Sequence, residues 1–166
     1  MSQISVAVIG KRREILDLTD WLSLSGAGAA GLCAARHLTA SSRVSLSIFE
    51  QSNTIGGTWV YTDNVGKDQH GLPLHSSMYK NLKTNLPKEV MAFPDFPFLP
   101  KEKSFIEHRE VLEYLQRYCH HFQLEQFVSF NTLVSKVHPI ETSQSTRWEV
   151  TSQCIKTKVT FVYLPH

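Results

Sequence analysis

The sequence lacks a strong excess of charge of either sign. Lys and Arg together number 17 and Asp and Glu number 15, which gives a formal net charge of +2. The two signs are interleaved along the chain, whereas proteins that bind phosphate backbones cluster their Lys and Arg. The sequence therefore predicts no nucleic-acid partner.

Long hydrophobic runs are also missing. No apolar stretch approaches the ~20 residues that a helix needs to cross a bilayer, and the first residues lack the apolar region of a signal peptide. We therefore expect no membrane segment in this chain and a cytoplasmic location. Its 166 residues, 42% of them hydrophobic, suffice for one domain or a large part of one.

Cysteine is scarce and the chain has no C-x-x-C pair. Cys33, Cys119 and Cys154 are scattered, which is typical of reduced thiols in a reducing compartment. The eight histidines do not suggest a metal site, because the adjacent His120 and His121 point to different helix faces and no cysteine lies at ligand spacing. We predict no bound metal.

Small residues form the most informative motif of the chain. It has G-x-G-x-x-G spacing and consists of Gly26, Ala27, Gly28, Ala29, Ala30 and Gly31. An alanine-rich segment follows, which predicts a helix over residues 29–39. In a dinucleotide-binding βαβ unit such glycines allow a tight turn and a close approach of the pyrophosphate to the helix N-terminus. The alternative is a turn that only packs a helix.

A second strand is predicted at residues 44–49 and ends on Glu50, about 20 residues beyond the last glycine. A carboxylate at this position accepts hydrogen bonds from ribose hydroxyls and repels a 2′-phosphate. The expected nucleotide is therefore the adenosine half of FAD or NAD, not of NADP.

The first strand is separated from the glycine motif in an unusual way. Residues 4–10 read as a buried parallel strand that ends on Gly10, which we assign to the cofactor site with the glycine motif. Residues 11–25 then intervene, and deleting about 16 residues would join the strand directly to the glycines. Our hypothesis is a retained short intron or a mispredicted exon junction. A genuine insertion that forms a surface helix is the alternative.

The stretch after Glu50 contains Gly56 and Gly57, followed by Thr58 and Trp59. Two glycines let a loop approach an extended ligand closely, with an aromatic ring alongside. On the residues alone, Trp59 fits an ordinary core position equally well.

The rest of the chain predicts an amphipathic helix over residues 106–122 and four strands, at 127–130, 132–138, 147–152 and 158–163. The loops at 70–73 and 93–100 are held by proline and aromatic residues, and we interpret them as a hydrophobic cluster rather than a cleft wall.

Several longer strings resemble one family, the flavin-containing monooxygenases of the dimethylaniline N- and S-oxygenase type. The matching strings are G-A-G-A-A-G-L, F-E-Q-S-N-T-I-G-G-T-W, residues 78–98 with T-N-L-P-K-E-V-M and D-F-P-F, residues 111–119, and residues 148–150. The resemblance implies an α/β fold of the FAD/NAD(P)-binding Rossmann type with three ββα layers. We expect it to be incomplete: a parallel nucleotide-binding unit, with the four late strands in a small antiparallel layer.

The resemblance also implies site residues. The glycine motif would hold the FAD pyrophosphate, Glu50 the ribose, and Gly57, Thr58 and Trp59 the flavin side of the cleft. Thr84, Asn85 and Leu86 would lie beside the flavin ring, with Asn85 as the catalytic residue near the nicotinamide of NADP(H). On sequence alone, Asn85 before Leu86 and Pro87 reads as a turn residue.

The implied reaction is FAD- and NADPH-dependent oxygenation of soft nitrogen or sulfur atoms in small amines or sulfides by O2, through a flavin C4a-hydroperoxide, as in xenobiotic metabolism. Residues 154–166 fit the family poorly and its NADPH-binding unit is not found, so we expect residues 1–166 to be a partial FAD-binding domain. A full-length parent would be cytoplasmic or associated with the endoplasmic reticulum.

Two other functions stay open at this point. One is a catalytically inactive FAD-binding fragment or splice product. The other is a related two-nucleotide flavoprotein, such as a Baeyer–Villiger monooxygenase or a disulfide-reductase relative, which the D-F-P-F string and the missing C-x-x-C disfavour.

Overall fold

The computed structural model describes residues 4–9, 26–40, 44–74, 76–141 and 146–163. Gly10, the interrupting segment 11–25 and residues 142–145 between two of the predicted strands lie outside these residues. The insertion hypothesis therefore stays a prediction.

A parallel sheet forms the first layer, as predicted. Strand β1 (Ile4–Ile9) pairs with β2 (Val44–Phe49) in parallel, with Ile4 opposite Val44 and Ile9 opposite Phe49. Helix α1 (Ala29–Thr39) lies between them in the chain and packs against β2. The bounds of α1 and β2 are those that the sequence predicts. This is the βαβ order in which a strand feeds a helix that returns to the same sheet.

The third strand of this sheet corrects one prediction. Residues 127–130 were expected in the antiparallel layer, but only β3 (Val128–Ser129) is extended, and it pairs in parallel with β2. A 3-10 turn (Leu124–Phe127) precedes it. The backbone N–H of Glu50 donates to the carbonyl of Ser129 at 3.0 Å and extends this pairing beyond the end of β2.

The antiparallel layer contains the other three predicted strands with shifted ends. They are β4 (Thr132–Glu141), β5 (Thr146–Cys154) and β6 (Thr160–Tyr163), in that order across the sheet. The pairing of β4 with β5 is irregular between Val134 and Lys136. The α/β class with a small antiparallel sheet is therefore confirmed.

The side chains of β2 separate two packed interiors. Leu46 and Ile48 are buried in the core that β2 shares with α1 and the long helix α2 (His108–His121), whereas Phe49 packs with Val134 and Val150 of the antiparallel sheet. Alternate residues of a strand face opposite sides, so one strand can join the three layers. Glu50 follows directly after this strand.

Helix α2 provides most of the aromatic packing. Tyr114 and Tyr118 contact Phe93, Phe96 and Phe98, and the Tyr114 hydroxyl accepts from the N–H of Phe93 at 2.8 Å and donates to the carbonyl of Phe96 at 2.6 Å. The interpretation as a hydrophobic cluster therefore holds for residues 93–100, whereas the loop at 70–73 is mostly exposed and belongs to neither core. With 14 residues, α2 is the longest helix of the described ranges, none of whose helices is long and apolar enough to span a bilayer.

Candidate functional site

The glycine motif forms a turn that opens α1. Gly28 is the N-cap residue and has an extended backbone conformation. The N–H of Leu32 donates to the carbonyl of Gly28 at 2.9 Å, which is the first hydrogen bond of the helix. No side chain caps this end, and the first turn holds no acidic residue. The first N–H groups of a helix have no partner within the helix and attract anions.

Glu50 lies against this turn. Its Oε2 accepts a hydrogen bond from the N–H of Ala27 at 2.9 Å, and its Oε1 accepts one from the N–H of Ser52 at 2.8 Å. Only 8% of the residue is exposed. Because a carboxylate offers about four lone-pair sites, two acceptor positions remain for a further donor such as a hydroxyl. The carboxylate and the glycine turn, 23 residues apart in sequence, thus form one structural unit.

The two glycines after Glu50 fit closely against their surroundings. The N–H of Gly56 donates to the carbonyl of Ala27 at 3.0 Å. A Cβ on Gly56 would overlap the Leu112 side chain, and a Cβ on Gly57 would come within 2.9 Å of the Cα of Gly28. Both have positive φ, at 131° and 55°. Only glycine lets this loop lie directly on the turn.

Thr58 and Trp59 continue this loop as a 3-10 turn (Gly57–Trp59). Gly57 and Thr58 are exposed beside Gly28, whereas Trp59 is half-buried and packs against the main hydrophobic core. The indole therefore has a structural role whether or not it also contacts a ligand.

The predicted catalytic segment is placed elsewhere, near the start of α2. Thr84 is buried, and its backbone N–H donates to the carbonyl of Ile106 at 2.9 Å while its Oγ1 accepts from the N–H of Ile106 at 3.2 Å. Asn85 and Leu86 are exposed. Among the described residues, no hydrogen bond joins them to the glycine turn. Both loops nevertheless contact the same region of the chain, one at Ile106, just before α2, and the other at Leu112, in the first half of α2.

One residue of this segment was missed by the sequence analysis. Lys88 is 4% exposed, and its Nζ donates to the carbonyls of Lys101 and Lys103 at 2.9 and 2.8 Å. The only signal for Lys88 in the sequence is its position in the string T-N-L-P-K-E, which indicates the family but no role for the lysine.

Two of the three cysteines have a pKa shifted away from thiol reactivity, whereas hydrogen bonding to Thr157 lowers the pKa of the third, Cys154. All three are free, and burial raises the pKa of the Cys119 thiol to about 11. Burial, and then the nearby Asp95 carboxylate, raises the pKa of Cys33. A nucleophilic thiol requires the opposite shift. The part of the chain that the structure describes also contains no cluster of His, Cys, Asp or Glu able to hold a metal ion.

A groove among the described residues lies away from the glycine turn. It has a volume of about 580 Å³ and is lined by residues 88, 89, 92 and 97–102. None of the predicted site residues lines it. The turn, by contrast, offers an uncapped helix N-terminus, small residues and an adjacent carboxylate, and this set fits the pyrophosphate and ribose of a dinucleotide.

Comparison with known proteins is consistent with this geometry. The family model for FMO-like, flavin-binding monooxygenase-like proteins matches residues 20–163. The chain is 39% identical over 144 residues to the flavin-containing monooxygenase FMO GS-OX-like 11 of Arabidopsis thaliana, covering 79% of this chain and 85% of that protein. It is also 39% identical to FMO GS-OX-like 4 of the same plant, but covers only 32% of it.

Solved structures show the same fold. The S-allyl-L-cysteine S-oxygenase from Allium sativum superposes with a TM-score of 0.75 at 34% identity, over 98% of this chain and 35% of that one. A cyclohexanone monooxygenase from Rhodococcus bound to NADP+ superposes with a TM-score of 0.62 at 19% identity. The match covers 97% of this chain and 24% of the cyclohexanone monooxygenase chain. The second likeness concerns the fold alone.

Proposed function

The chain belongs to the flavin-binding monooxygenase-like family, and we propose that it holds FAD on its glycine turn for the NADPH- and O2-dependent oxygenation of a soft sulfur or nitrogen atom in a small molecule. The observation that carries the proposal is the hydrogen bond between the Glu50 carboxylate and the N–H of Ala27. It supports a single site in which pyrophosphate and ribose are bound side by side.

Each end of the site has a distinct task in this proposal. Gly26 to Gly31 bind the pyrophosphate through backbone N–H groups, because the first turn of α1 has neither a capping side chain nor an acid that would compete. Glu50 accepts from ribose hydroxyls with the lone pairs that Ala27 and Ser52 leave unused. Because Gly57 has no side chain, the neighbouring loop lies close to the turn and leaves space for the cofactor.

The protein itself supplies binding and orientation. FAD, when bound and reduced by NADPH, supplies the oxygen chemistry, so no side chain need act as a nucleophile. In the proposal Thr58, Trp59, Thr84 and Leu86 shape the space beside the flavin and exclude water from it. The Asn85 amide, which both donates and accepts hydrogen bonds, orients the reacting groups there.

Sulfur is the favoured atom. This choice is supported by the likeness to the Allium S-oxygenase, which at 34% identity is more than a shared fold. A thioether of the S-alkyl cysteine type is therefore the first substrate to test. Tertiary amines, which the dimethylaniline-type reaction and xenobiotic metabolism would require, come second.

The test is incorporation of oxygen from ¹⁸O2. The chain is loaded with FAD and supplied with NADPH and either an S-alkyl cysteine or N,N-dimethylaniline, and the products are analysed by mass spectrometry. We expect a sulfoxide that carries one ¹⁸O atom. Label in the amine product alone would contradict the preference for sulfur, and flavin-loaded chain without any labelled product would contradict oxygenation by this chain.

A second candidate function is flavin binding without turnover. It is favoured by the coverage, because the chain spans about a third of FMO GS-OX-like 4 and of the Allium enzyme, and aligning NADPH with FAD needs a site for each. In that case FAD binds to this chain, but NADPH is not oxidised in its presence.

A further inference from the structure

Residues 84–87 form a short loop that leads into a helical turn (Lys88–Met91). Thr84 and Lys88 at the two ends of this loop are buried, and its middle carries the exposed Asn85 and Leu86. Thr84 and Lys88 are 6% and 4% exposed, whereas Leu86 is 52% exposed. Both ends are attached to the same stretch of chain, residues 101–106, which leads into α2. We propose that Lys88 is a positioning residue that holds Asn85 and Leu86 in their working position beside the flavin, an inference that rests on the proposed function.

The backbone of the loop is fixed at both ends. The N–H of Thr84 donates to the carbonyl of Ile106 at 2.9 Å, and the N–H of Lys88 donates to the carbonyl of Ser104 at 2.8 Å. The Oγ1 of Thr84 also accepts a hydrogen bond from the N–H of Ile106. Pro87, with φ fixed near −60°, limits the freedom of the residues in between.

The Lys88 side chain fixes residues 101–106 in turn. Its Nζ donates hydrogen bonds to the carbonyls of Lys101 and Lys103, so that one side chain holds the backbone of residues 101–103 in place. The nearest carboxylate, that of Glu89, is 3.9 Å away and more than half exposed. The ammonium is therefore held mainly by backbone carbonyls.

A lysine suits this position for a physical reason. A buried ammonium is costly unless its donors are satisfied, and its three donors can reach several carbonyls at once. An apolar side chain of the same length would fill the space but leave both carbonyls without their donor. The backbone around Asn85 would then lose its support, while the glycine turn, which is formed by other elements, would keep its geometry.

The matched variants are Lys88→Met, which keeps the length of the side chain, and Lys103→Met, which removes an exposed lysine from the same stretch. Lys88→Arg keeps donors for both carbonyls and serves as the conservative variant. Lys88→Gln, which retains a shorter, uncharged NH2 donor group, takes the place of Lys88→Met if that variant does not fold.

Two readouts separate positioning from general stability. Amide hydrogen exchange over residues 84–91 is expected to be about tenfold faster in Lys88→Met, while exchange over α1 stays unchanged. In the FAD-loaded protein, well below its melting temperature, the visible circular dichroism of the flavin should change while the affinity for FAD stays the same. Lys88→Arg should restore both signals, and Lys103→Met should match the parent chain.

The outcomes are distinct. Faster exchange with an unaltered flavin signal means that Lys88 only stabilises the fold, and overturns the proposal. Unchanged exchange in Lys88→Met overturns it at the first step. If the parent chain binds no FAD, the proposed function fails and the positioning role fails with it, while the exchange data still show whether Lys88 holds the loop.

Discussion

Glu50 is the residue that links the fold to the candidate site. Its backbone N–H and carbonyl bond to Ser129 and Thr132, and its carboxylate bonds to Ala27 and Ser52. Hydrogen bonds to a charged group contribute about 1.5–3 kcal/mol each when partly sheltered from water. One side chain therefore shapes the glycine turn and offers an acceptor to a ligand.

Replacing Glu50 with Gln should weaken both roles. The amide keeps one acceptor oxygen but turns an NH2 group toward a backbone N–H, so one of the two bonds is lost. We expect a loss of about 1–3 kcal/mol in the free energy of unfolding and a FAD affinity at least about tenfold lower, which is about 1.4 kcal/mol. Urea denaturation and calorimetric titration measure these quantities.

The matched control for this change is Glu102→Gln, which removes an exposed carboxylate far from the glycine turn along the chain. Both quantities should stay at the values of the parent chain. Normal FAD affinity in Glu50→Gln would show that the carboxylate does not take part in binding.

Gly57 tests whether the close approach of the loop to the turn matters. In Gly57→Ala the new Cβ would meet the Cα of Gly28 at 2.9 Å, and backbone cannot move aside as a flexible side chain can. Gly71→Ala is the matched control. Gly71 also has a positive φ, of 78°, but an added Cβ would meet no atom within 4 Å. Backbone strain should cost each variant about 1–2 kcal/mol of stability, and Gly57→Ala should lose more because of the contact with Gly28.

Only Gly57→Ala is expected to lose FAD binding, because only there does the added methyl group enter the site. Thermal unfolding with and without FAD distinguishes the two variants. An equal shift of the melting temperature by FAD in both would contradict the assignment of Gly57 to the site.

At the scale of elements, the sequence predicted α1 and β2 with their bounds because their local patterns are strong and agree with their packing. It failed at residues 127–130, where a two-residue strand is defined by its partner rather than by its own side chains. The pairing of Val128 with Ile48 joins parts of the chain that are 80 residues apart, and no local pattern encodes that contact.

The candidate site divides in the same way. The glycine turn and Glu50 were predictable because spacing and residue type follow directly from phosphate and ribose chemistry. Lys88 and Tyr114 were not, because what matters there is which backbone groups face a buried donor or hydroxyl. Such contacts depend on the tertiary structure.

Helix α2 carries a charge pair with a predictable effect of pH. The Lys101 ammonium, 2.7 Å from Glu110, holds the pKa of that carboxyl below its ordinary value of 4.5. A lowered pKa in the folded state means that the pair stabilises the fold above the unfolded pKa, and that this contribution is lost as the pH falls through the folded pKa.

The expected result is that Glu110→Gln flattens the fall in stability below about pH 4.5. Lys101→Met should flatten it as well, because it removes the other partner of the pair, which lowers the pKa of Glu110. The measurement is urea denaturation at a series of pH values. A slope equal to that of the parent chain in both variants would show that the pair does not affect folding.

The whole molecule is organised around the end of β2. One side of the strand packs on the helices and the other on the antiparallel sheet, where Phe49 meets Val134 and Val150 and its ring contacts Tyr163 at 5.1 Å. These layers enclose the strand up to Glu50. The glycine turn lies next to the end of the strand, and the exposed Gly57 packs against Gly28 of that turn. The family fold thus brings the residues of the proposed nucleotide site together from three separate stretches of chain.

The most direct test of this account is a titration of the purified chain with FAD, followed by the quenching of flavin fluorescence, with ADP as competitor. The account predicts saturation at one FAD per chain and displacement by ADP, because the adenosine half is held by the glycine turn and Glu50. A chain that unfolds cooperatively, and is therefore folded, yet leaves FAD free in solution would contradict it.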